Sequence, residues 1–472
     1  MFFLNRLNGW SSNSVKLNPV GSKDNIAPSS LIEVELPQNT LVDMKSFAMN
    51  FACTFDGNAT TIPPRWFPQT MIRRVEVQVN GITMSAGANN YNVVYHTLAE
   101  CTTPEDFGRY SALNMHGQPS GTLPIATADV ALANFIPTFT ATNWIGFLGS
   151  SQWLNTGLLG SVRVRIQLDS AAVMSQLNAV GDSTYTLSNL DFTCMVASLD
   201  DGLYQQALLE RLASGSQVSY PFKSYYTFEQ QNTGGNGSLK GTLSSSSVDR
   251  VTALIRASNY NDKAVLSDQV TTYLGGTTPY FTACGSGPFA AAAASQNLQG
   301  IDVGRTTAEL HSWQFLINSN YSPNYLVHCK NTEGKGGLSA HLTRLSYGTN
   351  ADVTSGDQLN YSGAMIYPYV GGGGGGPILN GAAQGGGAAG PINRANQFQQ
   401  QWNYKQYHCY MSVPLEYVGS EERLVSGSNF RGSVGVIFFN FETSAHANNT
   451  MMIVECTSVL KIGAGGSAEL IV

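Results

Sequence analysis

Alternation of apolar and polar residues is the dominant pattern along the chain. Val162-Arg-Val-Arg-Ile-Gln-Leu-Asp169 places apolar side chains on one face and polar ones on the other, the period of a half-buried antiparallel strand. Arg74 to Val79 repeats it just before Asn80-Gly81, two residues that tolerate positive φ and so predict a tight hairpin turn. The same period predicts strands over 31–36, 43–51, 190–197, 217–228, 248–257, 406–417, 434–442 and 451–462, separated by Gly, Ser, Asn and Pro clusters. Helical periodicity is scarce. It predicts one helix over 201–213, where Leu203, Ala207, Leu208 and Leu212 share a face, Asp200 or Asp201 serves as N-cap, and Gly215 lies just past the end.

The helix falls near mid-chain, and the elements on its two sides come in a similar order. Gly160-Ser161-Val162 opens a strand in the first half and Gly432-Ser433-Val434 opens one in the second. Each is followed by a polar loop and a last apolar strand. Val42 to Met49 likewise has a counterpart in Val248 to Ile255. Two β-sandwiches joined by a short helix fit the length of 472 residues and the scarcity of helix together. Two long stretches interrupt the second half: 264–312, with the run Ala290 to Ala294, and 348–396, with six consecutive glycines from Gly371. Loops this long inside a compact domain are surface insertions.

Composition sharpens this picture. Only 12% of residues are charged, about half the usual share, while 49 are glycine. A surface built from Ser, Thr, Asn, Gln and Gly suits a protein that lives against neighbouring subunits. The net charge of -6 and the absence of any Lys/Arg run exclude a genome-binding basic arm and sequence-specific nucleic-acid binding. Seven scattered cysteines form no C-x-x-C pair, which predicts reduced, mostly buried thiols rather than a disulfide or zinc framework. No secretion signal and no run of 18 apolar residues is visible, so the chain is expected to be made inside the cell without spanning a membrane.

At the central junction the residues become specific. Asn189-Leu-Asp-Phe-Thr-Cys-Met-Val-Ala-Ser-Leu-Asp-Asp-Gly-Leu-Tyr-Gln-Gln-Ala207, followed by Gly215-Ser-Gln-Val-Ser-Tyr-Pro-Phe-Lys-Ser-Tyr-Tyr-Thr-Phe-Glu229, resembles the passage between the two halves of the double-jelly-roll major capsid proteins of icosahedral DNA viruses. Val248 to Arg256, with the polar Gly/Ser stretch before it, and the short helix-like Asn90 to Leu98 are similar to that family too. The resemblance extends loosely over 28–462. It implies an all-β chain of two consecutive eight-stranded jelly rolls joined by a short helix: an N-terminal arm over 1–27, a first roll over 28–200, a linker helix over 201–216, a second roll over 217–462 and a C-terminal tail over 463–472. It implies, further, a homotrimer with six similar lobes, a pseudo-hexagonal tile of an icosahedral virion shell, with penton and minor capsid proteins as partners. The insertions at 264–312 and 348–396 become candidate external towers. The N-terminal segment would lie under the tile, where Phe2, Phe3, Leu4, Leu7 and Trp10 dock on an internal lipid membrane, a minor protein or a neighbouring trimer.

Catalytic chemistry finds no constellation. A cupin-type metal site needs two histidines one residue apart plus further ligands, and His96, His116, His311, His328, His341, His408 and His446 include no such pair and no H-E-x-x-H. His328-Cys329 and His408-Cys409 are adjacent, so on a strand they point to opposite faces. No phosphate-binding Gly-rich loop and no nucleophile elbow occurs. Glu421-Glu422 and Asp200-Asp201 read as loop or helix-start charges. The expectation is a chain without catalytic, cofactor or metal residues. The aromatics Tyr220, Phe222, Tyr225, Tyr226 and Phe228, and Trp402, Tyr404, Tyr407 and Tyr410, read as core and intersubunit packing rather than stacking platforms. The competing readings are a carbohydrate-binding or adhesive β-sandwich and a double-jelly-roll hydrolase or oxygenase. Low charge, the mid-chain repeat and the missing catalytic residues favour a structural assembly protein.

Overall fold

The computed structural model describes residues 10–56, 61–62, 68–84, 89–102, 138–150, 153–176, 184–199, 202–257, 310–328, 411–415, 427–431, 435–443, 448–463 and 467–472. In the first half these form β1 (Trp10–Leu17), β2 (Leu31–Glu35), β3 (Leu41–Asp56), β4 (Thr61–Ile62), β5 (Ile72–Val79), β6 (Ile82–Thr83), α1 (Tyr91–Thr102), β7 (Thr138–Ala141), β8 (Trp153–Asn155), β9 (Val162–Leu168), β10 (Ser175–Gln176) and β11 (Thr184–Leu199). The helix α2 (Gly202–Ala213) then leads to β12 (Val218–Asn232), β13 (Asn236–Leu243), β14 (Val248–Ala257), β15 (Leu310–Ile317), β16 (Asn320–His328), β17 (Met411–Pro414), β18 (Gly435–Thr443), β19 (Asn448–Ile462) and β20 (Ala468–Ile471).

Each half is a pair of antiparallel sheets with one topology. In the first, one sheet runs β1-β11-β3-β7, with β8 also beside β3, and the other runs β2-β9-β5-β6. In the second, the sheets run β12-β19-β14-β17 and β13-β18-β15-β16. With β7 and β8 sharing one position and the short β4–β10 pair set aside, both halves read 1-8-3-6 and 2-7-4-5, the jelly-roll order. The sequence resemblance to a double jelly roll is thus realised strand by strand. Every pairing is antiparallel, so successive strands alternate in direction, and connections after the first, third, fifth and seventh strands of a roll share one end of it. The chain enters both second-half insertions from that end, after β14 and after β16. The N-terminus of β1 and the end of β19 lie at the other.

The cores follow from the alternation. β9 buries Val162, Val164, Ile166 and Leu168 and turns the two arginines between them, Arg163 and Arg165, to the other face, where both meet Glu33 of β2 across the sheet. The Asn80-Gly81 turn forms as expected, with φ of 48° and 81° closing β5 onto β6. Gly215 also takes positive φ, 81°, and turns the end of α2 so that the Ser216 N–H reaches the Arg211 carbonyl.

Four segments depart from the sequence expectations. The expected arm over 1–27 contributes β1, the first strand of the first roll, so the roll begins at Trp10 rather than at 28. Trp10-Ser-Ser-Asn-Ser-Val-Lys-Leu17 has little alternation to read because it is an edge strand, exposed on both faces from Ser11 to Ser14, held by its backbone ladder to β11 and packed on the first core at Leu17. The expected tail over 463–472 adds β20 to β19, and the Val472 carbonyl accepts from the Ser246 N–H. The polar stretch over 236–243 is β13, whose Gly237 and Gly241 lie under the rings of Phe441 and Phe228, where a side chain would collide. Leu310 to Ser312, placed in the first insertion, already belong to β15.

Candidate functional site

For a double jelly roll the working parts are surfaces: the seam that fixes the two rolls together, and the faces left for other molecules. The seam is built by two strands longer than their own roll needs. Over 218–222 and 460–462, β12 and β19 run past the second core and deliver Tyr220, Phe222, Leu460 and Ile462 into the hydrophobic core of the first roll. Phe222 meets Phe147 edge to face with ring centroids 5.1 Å apart. The Tyr220 hydroxyl accepts from the Asn155 N–H at 3.4 Å. Tyr226 and Phe228, further along β12, pack on the second core instead. The aromatic run therefore bridges the two cores of one chain.

Above this, α1 is enclosed. Every residue from Tyr91 to Leu98 is buried, and Asn90 at its start donates to Glu229 of β12 at 2.9 Å. Glu229 also accepts from Arg256 of β14 at 2.6 Å. Tyr91 lies beside Tyr225, and burial holds both phenols well above their ordinary pKa, so they stay neutral. On this side of the second roll, Thr252 and Leu254 of β14, Met451 and Ile453 of β19 and Ser412 of β17 are all buried although they point away from the second core.

One charged cluster links three strands of the second roll. Asp249, 2% exposed, accepts from Lys223 at 2.8 Å, from the Thr457 hydroxyl at 2.6 Å and from the Ser247 hydroxyl at 2.6 Å. Lys223 also faces Glu455 at 3.5 Å. Such a network ties β12, β14 and β19 together. Among the described residues no group of three or more His, Cys, Asp or Glu could hold a metal ion, and no helix is long and apolar enough to cross a membrane. Cys53, Cys194 and Cys456 are buried and in no disulfide; burial pushes the Cys194 thiol up to about 11 and that of Cys456 up to about 12, so neither of these two is a nucleophile at neutral pH.

Of the expected inner-face residues, Phe2, Phe3, Leu4 and Leu7 lie outside the described residues. Trp10 is the first residue of β1, opposite Leu199, at the end of the roll away from the insertions. Residues 264–309 and 348–396, Asp200-Asp201, Glu421-Glu422, and Trp402, Tyr404, Tyr407 and Tyr410 also lie outside them. The sequence missed the exposed apolar residues of two surfaces: Met195 of β11 with Trp153 of β8, and Tyr321, Tyr325 and Leu326 of β16. A period-two reading assigns such residues to the core, and only the observed pairing puts them outside.

No protein-family model matches the chain, and no curated protein matches it in sequence. Solved structures do match in shape. VP54 of PBCV-1, fitted into a reconstruction of the virophage Sputnik, superposes with a TM-score of 0.58 at 10% identity, covering 100% of this chain and 98% of that one. The structure of the Sputnik virophage gives 0.51 at 10% identity over 100% and 90%. The Faustovirus major capsid protein gives 0.50 at 7% identity over 97% and 91%. Agreement over nearly whole chains on both sides, with a strand order that repeats in each half, establishes that this chain has the double-jelly-roll fold of viral major capsid proteins.

Proposed function

We propose that the chain is a major capsid protein: three copies form a pseudo-hexagonal capsomer, and capsomers tile an icosahedral virion shell. The observation that carries this reading is the duplication. Two rolls of identical strand order, fixed to each other by a shared core, make one chain a rigid pair of similar lobes. Three such chains around a threefold axis present six similar lobes, and a six-sided tile packs on a lattice that a three-sided one would leave gapped. Similarity to VP54, Sputnik and Faustovirus capsid structures supports it.

In this reading the chain works by geometry and assigns no catalytic step to any residue. The insertions at 264–309 and 348–396 leave from one end of the second roll and serve as outer towers. The N-terminal residues Phe2, Phe3, Leu4 and Leu7 start from the opposite end and face inward, toward a minor protein, a neighbouring capsomer or a lipid layer. A chain with only 12% charged residues associates through apolar and neutral polar contact, so assembly is insensitive to salt. Electron microscopy of the purified oligomer tests the reading: class averages with six lobes around a threefold axis support it, and a ring of any other order or a two-lobed particle rules it out.

A further inference from the structure

We propose that Lys223 and Asp249 condense to an isopeptide bond that clasps β12 to β14 across β19, with Glu455 carrying the proton. The inference goes beyond the capsid reading and stands without it.

The three residues come from three neighbouring strands, and the pairing explains how they meet. Lys223 of β12 lies opposite Thr457 of β19, and Tyr225 lies opposite Glu455, so these four side chains share one face of the sheet. On β14 the register with β19 shifts between Val248 and Arg250, which pair with Cys456 and Glu455. Asp249 is the extra residue of that bulge, and its carboxylate reaches Lys223 two strands away.

The carboxylate is enclosed. Asp249 is 2% exposed, its Oδ1 accepts from the Ser247 hydroxyl at 2.6 Å, and its Oδ2 accepts from the Thr457 hydroxyl at 2.6 Å. Gly427 covers it so closely that a Cβ there would collide with Oδ1 and with the Ser247 hydroxyl. Lys223 Nζ stands 2.8 Å from Oδ2 and 3.5 Å from Glu455 Oε1. Arg250 places a second cation 3.9 Å from Glu455. Tyr225 lies beside Glu455 and Asp249, and burial keeps its phenol neutral. Held this way, the amine and the carboxyl react as one molecule rather than two, and enclosure shelters the product from hydrolysis.

The step balances within the ion pair. One proton crosses from Nζ to Oδ2 and leaves a free amine beside a carboxylic acid. The nitrogen lone pair attacks Cγ and a C–N bond forms, while the Ser247 hydroxyl stabilises the charge that develops on Oδ1. Glu455 takes a second proton from the nitrogen and hands it to Oδ2. The Cγ–Oδ2 bond then breaks and one water leaves. Lys223 and Asp249 lose their opposite charges together, Glu455 ends as it began, and Arg250 still balances it. No other reactant enters. Among the described residues β12 lies at the edge of its sheet, and it carries Tyr220 and Phe222 into the first core. The bond anchors that strand at the very next residue.

Mass spectrometry of the denatured full-length chain reads the bond. The expected mass is one water below that of the sequence, and trypsin is expected to leave Lys223 uncut and to release a branched peptide that joins 212–240 to 241–250. A chain of full sequence mass overturns the proposal. A water loss confined to 241–250 marks a succinimide at Asp249 and overturns it too. Two variants supply the second reading, each checked for a cooperative unfolding transition by circular dichroism. Lys223→Arg keeps a cation beside Asp249 and cannot condense, and it is expected at full sequence mass; a water loss that persists in it overturns the proposal. Glu455→Gln keeps the shape of the side chain and removes the proton carrier. It is expected to lose the branched peptide, and a folded Glu455→Gln chain that is still cross-linked overturns the role given to Glu455.

Discussion

Replacing Phe222 by Ala tests whether the two rolls are one structural unit. Phe222 belongs by sequence to the second roll, yet its ring is buried in the core of the first, against Phe147. Truncation of a buried Phe to Ala costs about 3–5 kcal/mol, of which an edge-to-face partner accounts for about 0.5–1.5. The cost is expected near the upper end, because the site is walled by two rolls of backbone and cannot collapse around the cavity. The assay is hydrogen exchange read by mass spectrometry as urea is raised, following β3 and β11 for the first roll and β14 and β19 for the second. In the parent chain all four strands open together. In Phe222→Ala the opening energies of all four fall by the same amount, since the second roll cannot withdraw β12 and β19 without opening the first core. Unchanged protection in β3 and β11, or a loss below about 1 kcal/mol, would refute the shared core.

Other outcomes follow from single sites. Asp249→Ala removes the acceptor shared by Lys223, Ser247 and Thr457 and is expected to destabilise the second roll by roughly 2–4 kcal/mol in urea titration; Lys223 escapes partly to solvent, which keeps the loss below that of a fully buried pair. Gly149→Ala drives a Cβ into the Trp144 carbonyl, a backbone atom that cannot swing aside, and is expected to cost about 1–3 kcal/mol by the same titration. Alkaline pH acts through the buried thiols and phenols. The folded pKa of Cys456 is raised from 9.0 to about 12, so its neutral form stabilises the fold fully below pH 9, and that contribution is lost as pH climbs from 9 through 12. Cys194, raised to about 11, and Tyr185, Tyr91 and Tyr225, raised further, act in the same direction. Unfolding monitored against pH is expected to be flat to about pH 9 and to steepen above it, and a midpoint that holds steady to pH 11 would contradict the burial of these groups.

The strands legible in the sequence are those with one wet face and one dry face. β9 and β5 alternate cleanly because the first core lies on one side and solvent on the other, and both were read to within two residues. α2 was legible from the shared face of Leu203, Ala207, Leu208 and Leu212 and from Gly215, and α1 from the similarity of Asn90 to Leu98 to the capsid family. The strands that escaped lie at edges or pack by absence of a side chain. β1 is an edge strand of mostly exposed polar residues with Leu17 against the first core, and β13 is built on glycines that make room for Phe441 and Phe228. The seam was visible only as an aromatic crowd on β12. A stretch in which 220, 222, 226 and 228 share one parity gives no sign that two of these residues serve one core and two another, because that division comes from where each roll ends. The exposure of Met195 and Trp153 was invisible for a related reason: whether they are covered depends on which strands pair beside them.

The central claim is that this duplicated chain assembles in threes, and the solution mass of the purified full-length chain, measured by light scattering on a sizing column with no partner added, tests it most directly. The account predicts a single species of 151.5 kDa, three copies of the 50.5 kDa chain, that survives dilution and high salt. A stable 50.5 kDa monomer would contradict it.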